Sequence, residues 1–405
     1  MKRIWIALVA GVLAFAMRDP AARADPLVVL YSFCGQYCTA GSEPEAGVIN
    51  VGDMLYGTTT GGGAYGYGTV FAVDSKTGAG SALYAFQGGS TDGSDPRAGL
   101  VDVNGILYGT TYEGGTGGCY SFTYKVGCGT VFALDPQTGT ETLVYSFQNN
   151  GADGGYPEAG LIDVDGTLYG TTLGLGAYGG GTVFSLDPAT GTETVLHSFA
   201  PNGSDGYWPH AGLIDVGGTL YGTTAYGGTG SEYGYGTVFA LDPATDAETV
   251  LYSFCSQKKC GDGAYPEAGL TALNGTLYGT TYQGGTINCS AQGCGTVFSL
   301  DPATGTETVL HLFQNNGKDG YWPYAGVTAV DGKLYGTASA GGAFYYGTVF
   351  SLDPATGTEK TLHAFNSTLD GYDPVAALLS VRHKLYGTTL EGGAYGDGTL
   401  FSIRR

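Results

Sequence analysis

Pro157 to Phe199 read PEAGLIDVDGTLYGTTLGLGAYGGGTVFSLDPATGTETVLHSF, and this stretch decides how the chain folds. It divides into four short segments rich in Val, Leu, Ile, Tyr, Phe and Thr: Ala159 to Val164, Thr167 to Thr172, Thr182 to Leu186 and Glu193 to Phe199. Those residue types favour extended strands. The joints are turn chemistry. Asp165-Gly166 closes the first pair and Asp187-Pro188-Ala189-Thr190-Gly191 the last, with proline presetting one dihedral and glycine accepting positive φ. Val183-Phe184-Ser185-Leu186 is apolar on both faces, which predicts a sheet covered from two sides.

The same pattern recurs with a period of roughly 52 residues in its shorter copies. Leu-Tyr-Gly-Thr begins at Leu55, Leu107, Leu168, Leu220, Leu277, Leu334 and Leu385. Gly-Thr-Val-Phe follows at Gly68, Gly129, Gly181, Gly236, Gly295 and Gly347, with Gly-Thr-Leu-Phe at Gly398. A Pro-x-Ala segment precedes each, at Pro44, Pro96, Pro157, Pro209, Pro266, Pro323 and Pro374. Leu27 to Phe33 is a fourth-strand segment without its first three, and the seventh copy stops after its third strand, Gly398 to Ile403. Two incomplete units add up to one whole. The expected fold is therefore all-β: a seven-bladed β-propeller of four-stranded antiparallel blades, closed by pairing of the N-terminal strand with the last blade. An open solenoid would need atypical capping repeats instead.

Order and period are similar to the kelch repeat. The motifs Leu-Tyr-Gly-Thr-Thr, Gly-Thr-Val-Phe and Asp-Pro-Ala-Thr-Gly resemble more closely the GloVer tandem repeat of exported bacterial "choice-of-anchor" proteins, over residues 27–405. The resemblance implies a propeller-like repeat protein and implies no activity.

Met1-Lys2-Arg3, the apolar run Ile4 to Met17 and the small-x-small site Ala22-Arg23-Ala24 predict a signal peptide over residues 1–24. Residues 25–405 then form one propeller domain, expected to be secreted or periplasmic, without membrane insertion after cleavage, and monomeric. The apolar run is short for a membrane span. Gly at 74 residues and Tyr at 31 fit many tight turns between strands. With 36 acidic and 16 basic residues, the chain is a poor partner for nucleic acid or anionic membrane.

Strand order places the second-to-third-strand loops and the blade crossovers on one face. Those loops are long and variable, as at residues 112–128 and 282–294, whereas the opposite turns are uniform. Variable loops on a rigid scaffold are where binding usually sits. All eight cysteines fall on that face in close pairs: Cys34/Cys38, Cys119/Cys128, Cys255/Cys260 and Cys289/Cys294. An exported chain predicts disulfides stapling single loops. Pairing of Cys255/Cys260 with Cys289/Cys294 across adjacent loops is the alternative; zinc is disfavoured because neither loop contains His.

The middle residue of Pro-x-Ala should surround the channel mouth: Glu45, Arg97, Glu158, His210, Glu267, Tyr324 and Val375. Tyr207, Trp208, Tyr321 and Trp322 adjoin it in the crossovers. Aromatic faces with a few carboxylates suit sugars or other polar organic ligands; solvated rim residues without a partner are the plain alternative. The preferred reading is a non-catalytic recognition or scaffold propeller for a glycan or extracellular protein, with no cofactor and no metal. The alternative is a secreted glycoside hydrolase or lyase using the mouth carboxylates. No Ser-His-Asp set or phosphate loop is present, and the Asp-Gly pairs from Asp92 to Asp370 read as turns, not calcium loops. His197, His311 and His363 replace the Tyr of Leu-Tyr-Ser-Phe and read as structural.

Overall fold

The computed structural model describes residues 27–34, 39–121, 124–229, 233–367 and 369–405. The expected signal peptide and Cys38 lie outside them. Seven four-stranded antiparallel sheets stand in a ring. In the third blade the strands are Ile162–Val164, Thr167–Thr172, Thr182–Asp187 and Thr192–Ser198. The innermost strand is shorter than the sequence suggests, because Ala159 to Leu161 pack against the neighbouring blades instead of pairing. A Cβ on Gly212 would sit 3.0 Å from the Gly160 carbonyl, and one on Gly326 2.5 Å from that of Gly269. Backbone meets backbone around the axis, which is why this position is small.

The last blade consists of Leu379–Val381, Lys384–Thr389 and Thr399–Arg404, completed by Val28–Ser32. Val28 pairs with Ser402 and Ser32 with Thr399. The ladder skips Leu30, and a bulge at the equivalent position interrupts the outer pair of every other blade. The closing strand thus reproduces the local geometry of a native fourth strand.

Three repeated contacts join each blade to the next, and each explains a motif. The first Thr after Leu-Tyr-Gly donates its hydroxyl to the carbonyl of the next Pro-x-Ala alanine, from Thr58 to Ala98 (2.7 Å) round to Thr388 to Ala46 (3.0 Å). The Gly of Gly-Thr-Val-Phe has φ of 92–99° and lies under the next blade's proline; a Cβ on Gly236 would come within 2.4 Å of Pro266 Cδ. A fourth-strand Phe meets the following blade's third-strand Phe edge-on, with centroids 4.8–5.3 Å apart, beginning with Phe33 on Phe71 and ending with Phe365 on Phe401. All of these Phe side chains are essentially inaccessible. The core is therefore seven interblade layers rather than one centre.

Crossovers and second-to-third loops share one rim, as expected from strand order. Gly154–Gly155 pairs with Gly174–Leu175, Gly206–Tyr207 with Tyr226–Gly227, and Gly320–Tyr321 with Ala340–Gly341. Disulfides join Cys119 to Cys128, Cys255 to Cys260 and Cys289 to Cys294, so each loop is stapled to itself and the cross-loop alternative falls away. Cys34 is also disulfide-bonded. The Asp of each Asp-Gly pair braces its crossover: Asp153 accepts from the Gln148 N–H (2.7 Å) and the Tyr145 hydroxyl (2.9 Å). His197, His311 and His363 take the Tyr place against Asp205, Asp319 and Asp370 at 2.9–3.2 Å. With Glu248 and Glu359, two of these pairs form trios whose ligand atoms lie within 4.8 Å. The same interface is closed by Tyr84, Tyr145 and Tyr252 in other blades, so bracing accounts for the arrangement.

Candidate functional site at the channel mouth

The prolines of Pro-x-Ala fix the inner strands, and the residues after them converge. Glu45, Arg97, Glu158, His210, Glu267, Tyr324 and Val375 all line one cavity of about 610 Å³. Trp322 lines it too. Trp208 lines an adjoining space of about 500 Å³ with Tyr156, Tyr226, His210, Glu267 and Tyr324. Tyr207 and Tyr321, expected beside the mouth, are not among the residues lining these two cavities. Tyr207 stacks on Tyr226 and donates its hydroxyl to the Tyr233 carbonyl, and Tyr321 meets Trp322 edge-on.

An ion chain crosses three blades. Arg97 holds Asp95 at 2.8 Å and Glu158 at 3.1 Å, and its guanidinium lies 3.9 Å above the Tyr112 ring. The other Glu158 oxygen makes an ion pair with His210 Nδ1 at 2.9 Å. Burial works to raise the Glu158 pKa, but His210 and Arg97 outweigh it and leave the carboxyl below its ordinary value. Burial likewise opposes charge on His210, yet Glu158 holds its pKa up. Both cations of the cavity wall are thus committed to Asp95 and Glu158.

The remaining carboxyls differ. Burial pushes Glu45 up to about 7, against the pull of Arg97. Burial also raises Glu267, opposed by nearby His210. Asp373 is pushed up to about 6 by burial and by Glu391. Around them stand Tyr282, Trp322 and Tyr324, with Tyr282 centred 6.0 Å from Trp322 and 5.9 Å from Tyr324, then Tyr346 and Tyr372 at 5.5 Å. Tyr282, Tyr346, Tyr372 and Asp373 were not found by the sequence reading. Their only signal is positional: Tyr282 follows Leu-Tyr-Gly-Thr-Thr, and Asp373 precedes a Pro-x-Ala proline.

That pre-proline residue is unusual in every blade. Glu43, Asp95, Tyr156, Trp208, Tyr265, Trp322 and Asp373 have φ between 57° and 60°, a left-handed conformation rare for residues with side chains. Two backbone hydrogen bonds impose it. Each N–H donates to the preceding blade's loop, as Trp322 does to the Cys294 carbonyl at 2.8 Å, and each carbonyl accepts from its own blade, as Trp322 does from Ser339 at 3.1 Å.

Comparison with known proteins places this architecture. The family model described as the Gloeobacter/Verrucomicrobia repeat matches residues 117–291 and 286–405. The chain belongs to this repeat family. Its Leu-Tyr-Gly-Thr and Gly-Thr-Val-Phe motifs are the strand and interblade elements described above. No curated protein sequence matches this member of the family. Among solved structures, an oligogalacturonate lyase in complex with manganese is similar at TM-score 0.52 and 11% identity, covering 93% of this chain and 92% of that one. A nidogen/laminin complex gives TM-score 0.44 and 15% identity, covering 77% of this chain and 93% of that one. These likenesses concern the fold.

Proposed function

We propose that this repeat-family propeller is an exported recognition protein that binds a glycan or extracellular protein segment at the channel mouth, without catalysing a reaction on it. The observation that carries the reading is the convergence of all seven Pro-x-Ala residues with Trp322 on one cavity of about 610 Å³. A space of that size, walled by aromatic faces and a few fixed polar groups, has the character of a ligand site. Disulfides in three rim loops support export to an oxidising compartment. Among the described residues no helix is long and apolar enough to cross a membrane.

A hydrolase would need one mouth carboxylate free to attack or to activate water. Glu158 is engaged on one oxygen by Arg97 and on the other by His210, which suits a positioning role instead; Glu45, Glu267 and Asp373 are judged by the turnover arm of the test. The test is a glycan and peptide array with purified protein, followed by Trp322→Ala and His210→Ala variants. The expected result is a ligand whose affinity falls at least about tenfold in both variants, measured where each is still folded, since His210→Ala leaves a Glu158 oxygen without its partner and lowers the unfolding midpoint. Unchanged affinity would remove the cavity from consideration, and turnover of the bound ligand would replace recognition by catalysis.

A further inference from the structure

The left-handed ring around the mouth is sorted by chemistry. Asp373, Glu43 and Asp95 occupy three consecutive blades, the seventh, first and second. Tyr156, Trp208, Tyr265 and Trp322 occupy the other four. Glycine would fit this conformation best, and the chain does use glycine at all seven neighbouring Gly-Thr-Val/Leu-Phe positions where φ is positive. It uses none here. Side chains kept at a conformation they resist are a mark of binding and switch sites. The mouth therefore has an acidic arc and an aromatic arc, which meet at two seams.

The two seams are not alike. At the seam between blades two and three the chain provides its own cation: Arg97 lies over Tyr112 and pairs with Asp95 and Glu158. At the seam between blades six and seven, Asp373 faces the same cavity as Trp322 and Tyr346, with Glu45 and Glu267 on its wall and, among the described residues, no lysine or arginine besides Arg97. We propose that this second seam takes the ammonium group of an amino sugar, the ligand supplying the cation that Arg97 supplies opposite. Aromatic rings around a carboxylate attract an organic cation by their quadrupoles as well as by charge. The class of ligand follows from the cavity's breadth. A lysine side chain is thin and fills a narrow cage, whereas carboxyls and ring hydroxyls spread over about 610 Å³ match a sugar ring carrying an amine and several hydroxyls. This inference rests on the recognition reading and names its ligand.

The raised pKa values of Glu45 and Asp373 add a signature. An arriving ammonium favours their ionised forms, so binding near pH 5, where the sugar amine is already fully protonated, releases protons from the protein. The experiment titrates the purified protein with a β-1,4-glucosamine trimer and with its fully N-acetylated counterpart, by calorimetry in two buffers of different ionisation enthalpy. The expected result is at least about tenfold tighter binding of the amine form, with proton release. Asp373→Asn should abolish that preference by weakening the amine form at least about tenfold more than the acetylated trimer; Asn tolerates the left-handed conformation, so the variant removes charge and keeps the backbone. Equal or tighter binding of the acetylated trimer overturns the amino-sugar inference and leaves the cavity reading standing. So does binding of a lysine-rich peptide but of neither trimer. A preference untouched by Asp373→Asn, or no binding of either trimer at millimolar concentration, also overturns it. The wider recognition reading fails separately, if Trp322→Ala and His210→Ala leave every array ligand unaffected.

Discussion

Single residues in this ring can be judged against six copies of themselves. Six blades pair two buried threonine hydroxyls across the second and third strands, as Thr172 with Thr182 at 2.8 Å. The sixth blade has Ala338 in that place, and Thr348 Oγ1 is buried without a partner. Ala338→Thr should restore the bond and stabilise the protein by about 1 kcal/mol, read as a higher midpoint in urea. A lower midpoint would show that this blade has no room for the hydroxyl. Glu141, Glu193, Glu248, Glu307 and Glu359 form a second set. Burial, then a nearby Asp of the preceding blade, raises each to about 7. A carboxyl with a folded pKa above its unfolded value adds stability at low pH and loses it as pH rises through the folded value. Thermal midpoints should therefore climb from pH 8 to pH 5, and Glu193→Gln should flatten the climb. Asp74, Asp135, Asp187, Asp242 and Asp301, each opening an Asp-Pro-x-Thr or similar turn, are lowered by backbone N–H groups and pull the other way only below pH 4. A midpoint that instead rises with pH between 5 and 8 would contradict the burial of these glutamates.

At the scale of elements, strands were legible because their grammar is local: alternating residue types, Asp-Gly and Asp-Pro-x-Thr turns, and seven repetitions to average over. The middle residue of Pro-x-Ala was legible for a related reason, a variable position inside a constant frame. The pre-proline ring was not. Nothing in the types Glu, Asp, Tyr or Trp announces a left-handed backbone, which arises from two hydrogen bonds to segments remote in sequence. Tyr282 and Tyr346 were missed similarly, since their places beside Trp322 and Tyr372 respectively depend on how a crossover pairs with the next loop. The loop staples are element-scale devices as well. Cys128 is fully buried and packs with Phe147 and Leu161. Replacing Cys119 and Cys128 by Ser should cost about 2–3 kcal/mol from loop closure alone. Proteolysis should then cut within residues 112–128 before anywhere else; cutting at another loop first would show that the staple is dispensable.

The whole molecule depends on one strand joining distant parts of the chain. Phe33 is fully buried on Phe71 of the first blade, and Phe33 N–H donates to the Gly398 carbonyl of the last at 2.9 Å. Phe33→Ala should cost about 3–5 kcal/mol and break both sides of the closure at once. A cost no larger than that of trimming an exposed side chain would mean the ring is held shut elsewhere. Because Val28–Ser32 finds its ladder on Thr399–Arg404, more than 360 residues of intervening chain must be synthesised before that sheet can form. Until then the earliest-made segment has to wait, and the nascent torus exposes an unpaired edge to any chaperone, protease or sister chain that meets it. Interrupted synthesis would yield not a smaller working protein but a gaping one.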